Sequence, residues 1–451
     1  MGALLFRRPP RAAAVFKNTA CKFGHSFEAN SQTPELNFGP HGGAPAGNGI
    51  VYSRSLFDRA NMILGAPFTV IGNKGVSGET SAQILARFGT ALALNPGWIY
   101  LDCYSNDPFN GVDTATSIAN TLAMINAAKA AGIAVILALD IPRGSAVQMT
   151  QAILDQFMAY QHYFEDYARQ TTGLLVFNPW PYYVDTASYT TSVQGTPLAA
   201  YINADTIHPV AAGAGAAAVG LAALLKPFIP ARAHRLGTNS SSTGTGDTIN
   251  VFKNPLAVQG SGGFWGAGGS GTNPQDWWGQ RVVGSALTGV GAIVTRASVA
   301  ATFPGLFDDG LPGNLVRVAL ANAVAATEEF AIGVRPYDTG ASPLVAGSGP
   351  WFYEVEVGME ASSGTINTLQ AAATFKTSGP DYLITTNYNA DAGEYLGLTK
   401  FQGVMRSRNF YLPPTFAGAS STNSLYIRAG TSVGGAANLY IGRPTLRKAQ
   451  V

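Results

Sequence analysis

The sequence predicts two folded parts in one chain. The first is an α/β domain on a parallel sheet with helices on both faces, and the second is an antiparallel β-sandwich of jelly-roll type. Three observations carry this. From residue 19 to residue 226, apolar strand-like runs alternate with helical periodicity, as in a parallel sheet. Residues 237–248 are almost all Gly, Ser, Thr and Asn, a linker composition. Beyond them, apolar residues recur with period two. The expected boundaries are an arm over 1–18, the α/β domain over 19–235, the linker over 236–249 and the sandwich over 250–451.

Taken in order, 20–23, 67–71, 98–103, 134–139 and 174–177 read as strands. Helices are expected over 52–64 (Leu56, Phe57, Ala60, Ile63 and Leu64 on one face), from 79 through Ile84, Leu85 and Phe88, over 114–131, over 145–170, and from Pro209 to Lys226. Residues 73–78 read as a loop. In the second half, 351–360 puts Trp351, Tyr353, Val355, Val357 and Met359 on one face and Glu354, Glu356 and Glu360 on the other, the pattern of a half-buried antiparallel strand. Stretches 314–320, 329–334, 403–412, 424–428 and 438–443 repeat the theme, while the Gly- and Trp-rich 250–290 reads as a small separate module.

Composition narrows the function classes. With 46% apolar and 12% charged residues the chain can build large cores and is not disordered. A net charge of +2 without a basic run argues against a nucleic-acid partner. No run of about 18 apolar residues lacks breakers, so no membrane span is expected. The N-terminus makes a poor signal peptide, because its arginines follow the short apolar run. Two cysteines, Cys21 and Cys103, read as buried small residues, with a single bridge or a reactive thiol as the alternatives. No His, Cys and Asp residues show metal-ligand spacing, and no metal or cofactor is expected.

The chemistry-bearing residues fall at strand ends, where open α/β sheets bind ligands. Serine-based acyl transfer needs a base, a carboxylate to orient it, and donors for the oxyanion. Ser26, in Gly24-His25-Ser26 after the first strand, is the candidate nucleophile. His208 is the candidate base, and Asp205 can hold one imidazole nitrogen from the same loop. The alternative is that Asp205 caps the helix beginning near Pro209 and His208 is incidental. Gly75, in Asn73-x-Gly75-x-x-Gly78, could bring a backbone N–H to an oxyanion, or simply make a turn. Asn106, in Ser105-Asn106-Asp107, offers a side-chain amide, with a plain Asn-Asp turn as its alternative. His41, His162 and His234 are weaker candidates. Trp180, Tyr182 and Tyr183 could face a sugar, or could pack a core.

These four blocks, in this order, resemble the SGNH hydrolases, the GDSL-type esterases and acetylesterases, over roughly half the chain. The resemblance implies a flavodoxin-like three-layer fold. It implies Ser26 as nucleophile, His208 as base, Asp205 as its orienter, and the Ser26 and Gly75 amides with the Asn106 side chain as oxyanion donors. Two positions depart from the family pattern. His25 stands where an Asp is usual, with a disturbed nucleophile turn as the expected consequence. Tyr104 stands where a Gly is usual, so it is expected to reshape the acyl pocket.

The second half, with Trp277-Trp278 and the stretch from Leu439 to Leu446, resembles the β-sandwich modules of phage tail proteins and carbohydrate-active enzymes. The expected function is a serine esterase removing short acyl groups from a polysaccharide, in a virion tail or outside the cell. A homotrimer or other tail proteins are the expected partners besides the acylated glycan. The rival readings are a lipid-type esterase or thioesterase, and a glycan-binding tail protein without turnover.

Overall fold

The computed structural model describes residues 17–29, 55–144, 148–188, 195–228, 251–252, 256–257, 263–307, 313–323, 328–335, 344–378, 382–387, 398–407, 409–417 and 423–448. Residues 1–16 of the expected arm, the linker over 236–249, His41 and His234 lie outside these residues. Described residues 17–29, 55–57 and 67–228 form one compact unit, and residues 58–66 with those from 251 onward form another.

The first unit holds a five-stranded, all-parallel sheet. Its strands are β1 (Thr19–Gly24), β2 (Thr69–Gly75), β3 (Trp98–Asp102), β4 (Ala134–Ala138) and β5 (Leu174–Phe177), in the order β2-β1-β3-β4-β5. This is the flavodoxin-like order, which reverses direction beside β1 and so opens a crevice at the carboxyl ends of β1 and β3. The helices of the chain are α1 (Ser26–Ala29), α2 (Leu56–Ile63, of which only 56–57 belong to this unit), α3 (Ser81–Ala86), α4 (Gly89–Leu92), α5 (Thr114–Ala130), α6 (Gln151–Gln170), α7 (Trp180–Tyr183) and α8 (Ala211–Leu225).

Local chemistry sets the helix ends. Asp113 caps α5 by accepting from the Thr116 N–H at 2.8 Å. Thr150 caps α6 in the same way through the Ile153 N–H. The helix expected from 145 therefore starts at Gln151, because Thr150 supplies the cap six positions later than periodicity alone suggests. Strand β2 runs on through Gly75 into the stretch read as a loop, and Gly75 pairs with Gly24 of β1.

The core on one face of the sheet joins Phe23, Ile99, Leu101, Val135 and Leu137 to Met124, Ile125, Phe157, Tyr160 and Phe164 of α5 and α6. Each such side chain stabilises the fold by about 1.5–3 kcal/mol through burial. Cys21 and Cys103 are both buried and free of any disulfide. Among the described residues, no helix is long and apolar enough to cross a membrane.

The second unit holds two six-stranded sheets. Its strands are β6 (Phe264–Trp265), β7 (Gly269–Gly271), β8 (Trp277–Val283), β9 (Thr288–Thr295), β10 (Asn314–Ala321), β11 (Glu329–Val334), β12 (Trp351–Ser363), β13 (Ile366–Phe375), β14 (Tyr382–Asn387), β15 (Lys400–Arg406), β16 (Ser424–Thr431) and β17 (Ala436–Lys448). One sheet has the order β15-β12-β17-β10-β9-β7 and the other β14-β13-β16-β11-β8-β6. Pairing is antiparallel except where the short edge strands β6 and β7 join β8 and β9. These sheets are those of a β-sandwich. Strands β7 and β9 belong to the first of these sheets and β6 and β8 to the second, so 250–290 is not a separate module.

Strand β12 also departs from expectation. Glu354 and Glu356 are 1% exposed, so both of its faces are covered. The face bearing Glu356 lies under Phe303 and Phe307, which pack with Leu315, Val404 and Tyr440 and would meet any Cβ added at Gly358. The carboxylates tolerate burial because Arg406 meets Glu354 at 2.6 Å, while Arg296 and Arg443 grip Glu356.

Candidate active site

Strand β1 ends at Gly24, and Ser26 opens the single turn of α1, so the hydroxyl sits at the carboxyl edge of the sheet. The turn is tight. A Cβ on Gly24 would lie 2.0 Å from the Asp102 carbonyl oxygen, and one on Gly75 would lie 2.2 Å from the Ala29 nitrogen. Asn73 fastens the two elements by donating to the Glu28 carbonyl at 2.8 Å while accepting from the Gly75 N–H at 3.0 Å.

That last bond corrects one expectation. The Gly75 N–H is engaged, so it is not free to meet an oxyanion, and Gly75 is glycine because α1 lies against it. Gly78, in the same block, has φ +81°, and its N–H makes no hydrogen bond among the described residues. The Ser26 N–H is likewise unbonded. Asn106 reaches the Gly78 side of the loop, where its Nδ2 donates to the Glu79 carbonyl at 2.8 Å. One N–H of that amide remains uncommitted.

Asp205 and His208 come together as their spacing suggests. His208 Nδ1 is 2.6 Å from Asp205 Oδ2. Asp205 Oδ1 accepts from the Ile207 and His208 amides at 2.9 and 3.0 Å. The helix-cap alternative fails, because α8 begins at Ala211 with Val210 as its N-cap and no side-chain cap bond. Burial works against ionising Asp205, but the bonds from the His208 ring and the two amides hold its pKa below the ordinary carboxylate value. The loop is closed by the Asn203 N–H bonding to the His208 carbonyl and pinned from outside by the Gly144 N–H bonding to the Thr206 carbonyl.

His208 Nε2 is buried and has no hydrogen-bond partner among the described residues. The Phe27 ring, next to Ser26, stands edge-on to the His208 ring with centroids 6.0 Å apart. The base is thus beside the nucleophile turn, although the Ser26 hydroxyl and Nε2 are not hydrogen-bonded in this structure. Catalytic bonds of this kind often form only in the substrate complex.

His25 points away from this edge, into the unit. Its Nε2 is 2.9 Å from Asp102 Oδ1 and 3.4 Å from Asp140 Oδ1, and all three side chains are buried. Neither contact has the alignment of a hydrogen bond. Burial alone would lower the imidazole pKa, but the two carboxylates outweigh it and raise it. His25 Nδ1 is placed to accept from the Phe27 N–H at 3.4 Å, so a second ring proton there would displace that contact. Burial raises the Asp102 pKa, against the pull of His25.

Along the chain, nothing in the spacing of His25, Asp102 and Asp140 marked them as a group. The fold places their ligating atoms within 4.8 Å of one another, as a metal cluster would. A metal-bound imidazole normally donates from its second nitrogen to an acceptor. Here that nitrogen accepts an N–H instead, so the trio does not match a metal site and reads as an imidazole whose Nε2 faces two carboxylates.

Most of the aromatic candidates belong to cores. Tyr104 stacks on Tyr160 at 3.9 Å, is 1% exposed, and so does not shape the cleft. Trp180 packs on Phe157, whereas Tyr183, near Tyr201, also walls the pocket beside the nucleophile turn. Only Tyr182 is exposed. A small pocket beside the turn is walled by Phe27, Leu139, Ile141, Pro179, Tyr183 and Pro209, among others.

Two arginines were not anticipated. Arg87 binds the Gly24 carbonyl at 2.7 Å, the Lys74 carbonyl and the Glu79 carboxylate, tying three loops of the site. Arg143 binds Asn106 Oδ1 at 2.9 Å. Neither lies in a recognisable motif, so only the folded structure reveals them.

Residues 37–216 match the family model described as GDSL-like Lipase/Acylhydrolase. The match starts beyond the Ser26 turn and includes Asn106, Asp205 and His208. No curated protein sequence matches the chain. Among solved structures, a GDSL-like lipase from Bacteroides thetaiotaomicron is 20% identical, with a TM-score of 0.33, covering 47% of this chain and 87% of its own. A member of the lipolytic protein G-D-S-L family from Veillonella parvula is 15% identical, with a TM-score of 0.32, over 47% of this chain and 97% of its own. A catalytic mutant of an acetylxylan esterase from Geobacillus stearothermophilus is 17% identical, with a TM-score of 0.35, over 48% of this chain and 94% of its own. Through this match over residues 37–216, the chain carries a domain of the GDSL-like lipase/acylhydrolase family.

Proposed function

We propose that the protein is a serine carboxylic ester hydrolase that removes O-acetyl or similar short acyl groups from a polysaccharide. The observation that carries the chemistry is the Asp205–His208 pair, whose unbonded Nε2 lies beside Phe27 and the Ser26 turn. In this reading the Ser26 hydroxyl gives its proton to His208 Nε2 and bonds to the ester carbonyl carbon. The C=O electron pair moves onto the oxygen, which meets the Ser26 N–H, the Gly78 N–H (in place of Gly75) and the free N–H of Asn106. Collapse breaks the bond to the sugar oxygen, which takes the proton from His208. Water then repeats the sequence, releasing the acid and restoring Ser26.

The glycan part of the reading rests on the β-sandwich that accompanies the hydrolase domain. A bacterial surface polysaccharide met by a phage tail suits that pairing, with the protein in the virion or outside the cell and a homotrimer or other tail proteins as partners. The test is acetate release from an acetylated glycan together with nitrophenol release from its acetate ester. Ser26→Ala should lower both by about a thousandfold or more. Unchanged rates sink the mechanism, a preference for long acyl chains points to a lipid-type esterase or thioesterase, and tight glycan binding without turnover points to an adhesive protein.

A further inference from the structure

Arg143 follows β4 and is 8% exposed. Its Nη1 donates to the Ser105 carbonyl at 3.3 Å, the Ser105 hydroxyl at 3.0 Å and Asn106 Oδ1 at 2.9 Å. Its guanidinium carbon lies 4.4 Å from the centre of the Phe109 ring. Its Nε is buried without a partner among the described residues. Among the described residues no carboxylate pairs with it, although Asp140 and Asp205 act on it through space. Burial pulls its pKa down against those two charges, yet an arginine remains charged in a protein. A buried cation without an ion pair is costly, and such costs are typically retained where function uses them.

We propose that Arg143 is the positioning residue of the oxyanion hole, and that its missing counter-charge is the negative oxygen formed in the transition state. This rests on the esterase reading above. The guanidinium acts through Asn106 in two ways. It fixes the amide orientation, since a flipped amide would set NH2 against the cation. It also draws electron density toward Oδ1, which makes the remaining Nδ2–H a stronger donor along a polarised chain. The second effect grows as charge develops on the substrate oxygen, so it acts on the transition state more than on the bound ester.

The experiment is a double-mutant cycle on the full chain with p-nitrophenyl acetate, a small neutral ester that cannot itself pair with Arg143. Arg143→Met should lower kcat about 10- to 100-fold with KM within about twofold. In an Asn106→Ala background the same change should cost less than about threefold, because the route is already cut. Arg143→Lys should recover part of the loss and, with thermal melting, separates lost charge from lost fold. If Arg143→Met does not fold, the cycle is run with Arg143→Lys, and the same non-additivity is expected. Additive losses in the two backgrounds, or an effect confined to KM, overturn the proposal. Ser26→Ala keeps the two readings apart. If that variant stays active the esterase mechanism itself fails, whereas its inactivity combined with additive Arg143 and Asn106 effects removes only this inference.

Discussion

His25 shows how far one substitution can be absorbed. An imidazole at the nucleophile turn was expected to disturb it, yet the ring turns inward and finds two carboxylates, Asp102 and Asp140, at the ends of adjacent strands. This has a pH consequence. The folded-state pKa of His25 is raised above 6.5, so its stabilisation is complete below that value and is lost as pH rises through the higher folded value. The raised Asp102 pKa has the same sign at lower pH, since the folded state again holds more protons than the unfolded chain. Melting temperature should therefore fall from about pH 7 to about pH 10, and His25→Asn should remove this alkaline part of the slope while lowering stability at neutral pH. Circular-dichroism melts across that range check it, and equal alkaline slopes in both proteins would show that the ring is not the group responsible.

At the scale of elements, glycine positions separate what the sequence revealed from what it hid. The five strands and the order of the four blocks were legible, because apolar runs and turn residues are local signals. The division of labour between Gly75 and Gly78 was not. It depends on α1 lying against β2 and on a left-handed φ, and neither leaves a trace in spacing. The two glycines should fail differently. Gly75→Ala drives a Cβ into the Ala29 backbone, which cannot swing aside as a side chain would. It should cost about 1–3 kcal/mol or more, together with activity, by displacing the Ser26 turn. Gly78→Ala meets no atom within 4 Å and bears only the penalty of φ +81°, about 1–2 kcal/mol. Denaturant midpoints and nitrophenyl acetate turnover measured side by side decide it, and a larger loss of stability in Gly78→Ala would contradict the packing argument.

Across the whole molecule, the two units answer the cost of buried charge in different ways. The first buries the Lys22–Glu28 pair but also holds charge without a simple pair, since Arg143 has no ion-pair partner among the described residues and His25 is shared between two acids. The second uses buried ion pairs as internal ties. Period two identified β12 as a strand, but it could not reveal that Phe303 and Phe307 cover the glutamate face, because that cover comes from a distant segment without strand periodicity. Glu356 accepts from both Arg296 and Arg443, at 2.6, 3.0 and 3.2 Å among its contacts. Glu356→Ala leaves two buried guanidiniums without their carboxylate and should destabilise the second unit by about 3–5 kcal/mol. Glu360→Ala, on the same strand but with a side chain 47% exposed and only a long contact to Lys400, should change stability by less than about 0.5 kcal/mol. Guanidinium unfolding of the full chain, followed by tryptophan fluorescence, compares the two variants. The argument fails if both unfold at the midpoint of the unaltered protein, since the buried carboxylate would then contribute no more than the exposed one.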